Sequence, residues 1–257
     1  MDIVVTVKMI PDLVEELEVN AEGTDLERAG LRLRLNEFDE HALEEALCLK
    51  DRHQARVTVV ALDTGDVDET LYTCLARGAD RALKVTGAFA GGVASRAMAA
   101  VLARVLDEVP HDLVLAGVQA ADDRDGQVGV LLAAMRGVPH VSVVTGVEVL
   151  GDRMVLARQE YAGGLQAELE VDLPAVLGVQ AARQAPRYAP VSRVRQLMKT
   201  ATLHEVPAPA VDARAGSTVT RLARPEAGAR AEMLDGSPEE IADRLVAILD
   251  ERGLVRR

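Results

Sequence analysis

Residues 112–129 read DLVLAGVQAADDRDGQVG, an apolar run followed by an acidic, glycine-containing loop that opens a helical pattern. Further apolar strand-like runs stand at residues 3–7, 56–62, 81–85 and 140–144, and helical patterns separate them. Because strands alternate with helices, we predict an α/β fold with a doubly wound, mostly parallel sheet.

The pattern changes after about residue 146, where strand-like stretches replace the helices. Turn signals at Gly151-Asp152 and Gly163-Gly164 predict an antiparallel extension of the sheet. Residues 184–237 contain five prolines and predict an extended C-terminal arm. Ser237-Pro238 then fits the start of a final helix.

We therefore predict an α/β domain at residues 1–183 and a C-terminal arm and helix at residues 184–257. From the residues alone, such an arm can wrap either its own domain or a partner.

Composition excludes several classes of protein. The chain has 257 residues, with 29 basic and 41 acidic side chains and a formal net charge of -12, so a nucleic-acid groove is not expected. It has no apolar run of about 18 residues, which predicts no direct membrane insertion. The absence of a visible signal peptide and the two isolated cysteines predict a cytoplasmic protein. Five scattered histidines predict no metal site.

The loop after the strand at residues 112–116 is the strongest candidate for a ligand site. Ligands of open parallel sheets bind outside the carboxyl ends of the strands, and a helix N-terminus offers amide groups to a phosphate. Gly126 and Gly129 would let a ligand approach the backbone closely. The alternative is an ordinary capped helix after an acidic loop, and the spacing leaves both open.

Other strand ends should line the same crevice. The first strand closes with Thr6, Val7 and Lys8, the second with Leu62, and residues 36–39 lead into the first helix. No nucleophile is paired with a base in these segments, so we predict a binding protein and no catalytic residues.

These segments resemble the β subunit of electron transfer flavoprotein over nearly the whole chain. The shared features are VVTVKMIPD, LNEFDEHALEEALCLKD, ARGADRA, DLVLAGVQAADDRDGQVG and the ordered motifs Gly163-Gly164-Leu165, Leu173-Pro174 and Pro186-Arg187-Tyr188. Glu37 departs from the family, which usually has proline there.

The resemblance implies an electron carrier subunit and not an enzyme in itself. Its implied partners are an α subunit, with which it would hold FAD, and a flavin-containing dehydrogenase. Residues 1–183 would be the nucleotide-binding domain, and residues 184–257 would be a partner-wrapping arm and helix that embraces the α subunit. The β subunit would also bind an adenine nucleotide on its Rossmann-like sheet. The implied phosphate contacts are the backbone at Gly126, Gln127, Val128 and Gly129. The implied pocket comprises Thr6, Asn36, Glu37, Phe38, Asp39, Leu62, Gly117, Val118, Gln119, Asp122 and Asp125, with Val7 and Lys8 added from the crevice above.

The bound nucleotide has two alternatives. AMP is usual in the family, whereas electron-bifurcating members hold a second FAD in this site. Gln127-Val128-Gly129 resembles the bifurcating type, but Asp122-Asp123-Arg124-Asp125-Gly126 matches neither pattern. Several carboxylates beside a phosphate are unfavourable unless a cation such as Arg124 offsets them. We expect AMP.

The resemblance also places a partner-docking loop after the Pro-Arg-Tyr motif. Val191 would be its apolar anchor, and Arg193, Arg195 and Lys199 would steer an acidic dehydrogenase.

An alternative function is a universal-stress-type regulatory homodimer that binds an adenine nucleotide. An ATP-pyrophosphatase needs a Ser/Gly-rich loop after the first strand, which Lys8-Met-Ile-Pro does not supply.

Overall fold

The structure is a computed structural model that describes residues 1–65, 67–89, 92–123, 126–211, 216, 218–225, 231 and 233–254. It comprises two compact units, Met1–Leu222 and Ala223–Arg257. None of the helices in these ranges is both long and apolar enough to cross a membrane.

The first unit alternates strands and helices as the sequence predicts. The strands are β1 (Asp2–Thr6), β2 (Met9–Pro11), β3 (Leu33–Leu35), β4 (Arg56–Leu62), β5 (Arg81–Thr86), β6 (Leu113–Gly117), β7 (His140–Val149), β8 (Met154–Glu160), β9 (Gln166–Asp172), β10 (Ala175–Val179) and β11 (His204–Pro207). The helices of this unit are α1 (Glu37–His53), α2 (Val67–Arg77), α3 (Ser95–Val105), α4 (Val128–Arg136) and α5 (Val191–Thr200).

Within the described residues, nine strands form one sheet in the order β11-β5-β4-β1-β6-β10-β7-β8-β9. Pairing is parallel from β11 to β7 and antiparallel between β7, β8 and β9. The predicted α/β class, the mostly parallel sheet and its antiparallel extension are therefore confirmed. Strands β2 and β3 form a separate antiparallel ribbon.

Two apolar cores lie on opposite faces of this sheet, which follows from alternation along β1. Ile3 and Val5 pack with α1 and α2, whereas Val4 packs with α3 and α4. Because both faces are covered by helices, the central strands consist almost entirely of valine, leucine, isoleucine and alanine.

The arm region differs from a purely extended segment in two places. Most of the expected docking loop, residues 189–199, belongs to the helix α5, which packs against α2 and buries Val194. Strand β11 pairs in parallel with β5 and becomes one edge of the large sheet.

The second unit contains α6 (Pro238–Glu251), and its start confirms the cap that the sequence predicts. The Ser237 hydroxyl accepts from the Glu240 N–H at 3.3 Å, and the Ser237 N–H donates to the Glu240 carboxylate at 2.8 Å. Pro238 stands at the first helical position, where its missing N–H costs nothing.

Candidate functional site

The candidate site lies where the order of the parallel strands reverses. In the sheet, β4 and β5 lie on one side of β1, and the chain then crosses over so that β6 lies on the other side of β1. Thr6 at the end of β1 pairs with Ala116 near the end of β6, so residues after both strands meet at one edge. This switch point is where open α/β sheets bind ligands.

Asp39 joins the two strand ends to the start of α1. Its carboxylate accepts from the Lys8 N–H and from the Gly117 N–H, each at 2.9 Å. The side chain is buried, and burial raises the pKa of Asp39 to about 7, although hydrogen bonds from Lys8, Asn36 and Gly117 oppose this rise. Asp39 therefore connects the backbone after β1 to the end of β6 beside the site.

Gly117 is required by this close approach. A Cβ atom at this position would collide with the Asp39 carboxylate and would lie 2.8 Å from the Phe38 Cβ. Asn36 fixes the next part of the loop, because its side-chain amide donates to the Gln119 carbonyl at 2.9 Å. Together these contacts hold the loop entrance in one conformation.

Lys8 neutralises part of the acidic loop. Its Nζ lies 2.7 Å from the Asp122 carboxylate and 2.8 Å from that of Asp123. Burial lowers the pKa of Lys8, but the two carboxylates outweigh it and hold the pKa above its ordinary value. Arg124, which the sequence offers as a cation that could offset these carboxylates, lies outside the described residues, as does Asp125.

The loop closes at the start of α4, the expected phosphate end. Gly126 has φ +58°, a conformation that favours glycine, and Gln127 occupies the N-cap position. The Gln127 side chain makes no capping hydrogen bond in the described part of the chain, and the first turn of α4 carries no acidic residue. This helix start therefore offers main-chain amides to an anion.

Two neighbouring cavities lie at this edge. A narrow crevice of about 20 Å³ is lined by the predicted residues Thr6, Lys8, Asn36, Asp39, Gly117, Val118, Gln119 and Val128. A larger cavity of about 540 Å³ includes the predicted residues Lys8, Leu62 and Asp122 in its lining. Both cavities share Lys8, Met98 and Asp123, so they adjoin at the lysine.

The other predicted residues lie around these cavities without lining them. Val7 is buried in the apolar core, Glu37 is exposed and Phe38 is half-buried. Gly126, Gln127 and Gly129 form the loop end described above. The large cavity also has walls that sequence reasoning missed, among them Thr64 after β4 and Ser95 at the start of α3. For Thr64, its position directly after β4 was the available signal.

The four predicted docking residues lie on α5. Val191 is 56% exposed at the first position of the helix, and Arg193, Arg195 and Lys199 are also exposed. Val194 and Leu197 instead turn towards the protein. The helix therefore exposes three cations and two apolar residues, Val191 and Met198, to solvent, while Val194 is buried.

The segment that leads to α5 is held by α1. The Glu44 carboxylate accepts from the Arg187 side chain at 2.9 Å and from the Arg187 N–H at 2.9 Å. The neighbouring Glu45 accepts from the Val147 N–H at 2.7 Å and from the Arg183 N–H at 3.2 Å. Both glutamates are buried, so these contacts fix the path of the chain after β10.

Comparison with known proteins identifies the family of this chain. Residues 24–211 match the electron transfer flavoprotein domain. The chain is 34% identical to an electron transfer flavoprotein subunit beta of Methylophilus methylotrophus over 98% of both chains. It is 34% identical to that subunit of Clostridium acetobutylicum, covering 76% of this chain and 74% of the other, and 32% identical to that of Homo sapiens, covering 77% and 78%.

The family match covers most of the first unit, and the bacterial relative extends it through the second. The resemblance noted from the sequence is thereby confirmed: the chain belongs to the electron transfer flavoprotein β-subunit family.

Proposed function

We propose that this chain pairs with an electron transfer flavoprotein α subunit, holds FAD jointly with it, and binds AMP in its own cavity. The complex would carry electrons from a flavin-containing dehydrogenase to a downstream acceptor. When bound, the flavin supplies the redox chemistry, and this chain's residues bind, orient and present it. Family membership supports the carrier role over the stress-type homodimer, which has no observation in its favour.

The observation that carries the nucleotide proposal is the Lys8 cluster beside the cavity at the switch point. A volume of about 540 Å³ falls in the usual range for small-molecule sites, roughly 300–1,000 Å³. Lys8 offsets charge on Asp122 and Asp123, and the start of α4 adds uncapped amides. These residues fit an adenine nucleotide with an anionic end.

The decisive experiment counts cofactors. The full chain is co-expressed with the α subunit, and FAD and AMP are measured per heterodimer after purification. We expect one FAD and one AMP. Two FAD without AMP would favour the second flavin, and a complex that retains no adenine nucleotide beyond the shared FAD would contradict the proposal.

A variant locates the nucleotide within the chain. Gly126→Arg places a side chain at the expected phosphate end, in a backbone conformation that favours glycine. We expect the purified complex to lose AMP while keeping the shared FAD. Gly151→Arg, at an exposed turn with φ +91° and open space around it, is the matched control and should retain AMP.

We also propose that α5 docks the dehydrogenase. Val191→Asp puts a charge on the exposed apolar position, and we expect electron transfer from the dehydrogenase to slow by about tenfold with unchanged flavin content. Leu150→Asp, on another exposed apolar residue, is the control. An unchanged rate for Val191→Asp would contradict this docking role.

A further inference from the structure

Part of the C-terminal arm lies against the chain's own first unit. The Leu222 N–H donates to the Gly23 carbonyl at 2.7 Å, which attaches this segment to the loop before β3. Gly216 passes close to the start of α3, where an added Cβ would lie 3.0 Å from that of Ala94. The segment therefore follows the rim of the candidate nucleotide site.

Three residues of this segment form one wall of the 540 Å³ cavity: Val219, Arg221 and Leu222. Other lining residues come from the strand ends, at Lys8 and Leu62, and from the acidic loop at Asp122 and Asp123. A residue of the arm is thus positioned to contact whatever occupies the cavity.

The described lining contains three cations and three carboxylates, namely Lys8, Arg28, Arg221, Asp25, Asp122 and Asp123. Two of the cations are already paired. Lys8 is held by two aspartates, and the Arg28 guanidinium binds Asp25 through Nη2 at 2.9 Å and Nε at 3.1 Å. In the described part of the chain, Arg221 forms no ion pair.

Charge balance makes this arginine important. Without Arg221 the charges of the described lining residues are two cations against three carboxylates, which leaves one net negative charge. A phosphate entering such a cavity would be repelled, and one uncommitted guanidinium cancels this excess. Guanidinium also matches phosphate oxygens with two parallel N–H donors.

We propose that Arg221 is an anion-binding residue of the nucleotide cavity, and that it takes the phosphate of an adenine nucleotide. This inference rests on the proposed function of the cavity. It assigns to one stretch of the arm a role in ligand binding, in addition to any role of the arm in binding a partner.

The test compares a phosphorylated ligand with its unphosphorylated counterpart. The full chain, co-expressed with the α subunit, is titrated with labelled AMP and with labelled adenosine in equilibrium dialysis. We expect Arg221→Gln to weaken AMP binding by about tenfold or more and to leave adenosine binding unchanged. Arg221→Lys should restore part of the AMP affinity because it keeps the charge. Arg153→Gln removes an exposed arginine outside the cavity lining and should change neither affinity.

Three results would overturn the inference, and each has a different meaning. If the wild-type complex binds AMP and Arg221→Gln binds it equally well, the role of Arg221 is wrong and the proposed function stands. A wild-type complex that binds neither AMP nor adenosine would contradict the proposed function, and the inference with it. An equal loss of AMP and adenosine affinity in Arg221→Gln would indicate a displaced wall and would also contradict phosphate binding.

Discussion

Two of the three buried carboxyl groups on α1, those of Asp39 and Glu44, have different surroundings. Asp39, at the edge of the sheet that carries the candidate site, accepts from backbone amides, and burial raises its pKa to about 7. Burial also acts to raise the pKa of Glu44, but hydrogen bonds from Arg187 and Gln184 outweigh it and hold that pKa below its ordinary value. The same helix thus carries Asp39, whose charged form is disfavoured by burial, and Glu44, whose charged form is stabilised by hydrogen bonds from the arm.

The largest expected effect concerns Asp39. The folded chain holds a proton on Asp39 up to about pH 7, against a reference pKa of 3.8, so its stabilising contribution is complete below pH 3.8. That contribution declines above pH 3.8, where the unfolded chain loses this proton, and it is lost once the pH has risen through about 7. Relative to wild type, the free energy of unfolding of Asp39→Asn should therefore gain about 3 kcal/mol between pH 5 and pH 8.

Chemical denaturation at both pH values measures this difference. Glu37→Gln, which changes an exposed carboxyl in the same turn, is the control. A difference between Asp39→Asn and wild type that stays constant from pH 5 to pH 8 would show that burial does not raise the Asp39 pKa into this range.

Glu44→Ala should have the next largest effect. It leaves the Arg187 guanidinium, which is 30% exposed, without its buried partner, and we expect a loss of about 2 kcal/mol in the free energy of unfolding. Thermal and urea denaturation at pH 7 measure it. Combining this change with Arg187→Ala should cost little more than Glu44→Ala alone, and simple additivity would contradict the coupling.

The smallest effect is expected at the outer partner of the same arginine. Asp51 lies 3.0 Å from Arg187 but is 60% exposed, so solvent screens the pair. Asp51→Asn should cost less than about 0.5 kcal/mol in urea denaturation. A loss as large as that of Glu44→Ala would mean that burial does not decide the strength of these contacts.

The sequence predicts the sheet well because each strand and helix carries its own pattern. The run RVTVVAL at β4 and the turn signal Gly151-Asp152 between β7 and β8 are local signals, which can be recognised in the sequence alone. Helix α5 was not predicted, since five prolines across residues 184–237 suggested an extended arm. Within it, however, the spacing of Val194 and Leu197 is that of a helix face.

The charges of the site could be predicted only in part. Lys8 and the acidic loop were both singled out, but the contact between Lys8 and Asp123 joins positions 115 residues apart. Such pairing depends on which strands become neighbours, and no local pattern gives it. The same holds for Arg221, whose place in the cavity wall follows from the Leu222 hydrogen bond to Gly23.

The two outer strands of the large sheet have a consequence for association. Unpaired strand edges invite other chains to add to them. On one side β11 is only four residues long and ends in Pro207, which has no N–H to donate. On the other, β9 exposes Glu168, Glu170 and Asp172, whose mutual repulsion opposes stacking of identical chains. Both edges of the large sheet therefore disfavour association of identical chains by strand addition.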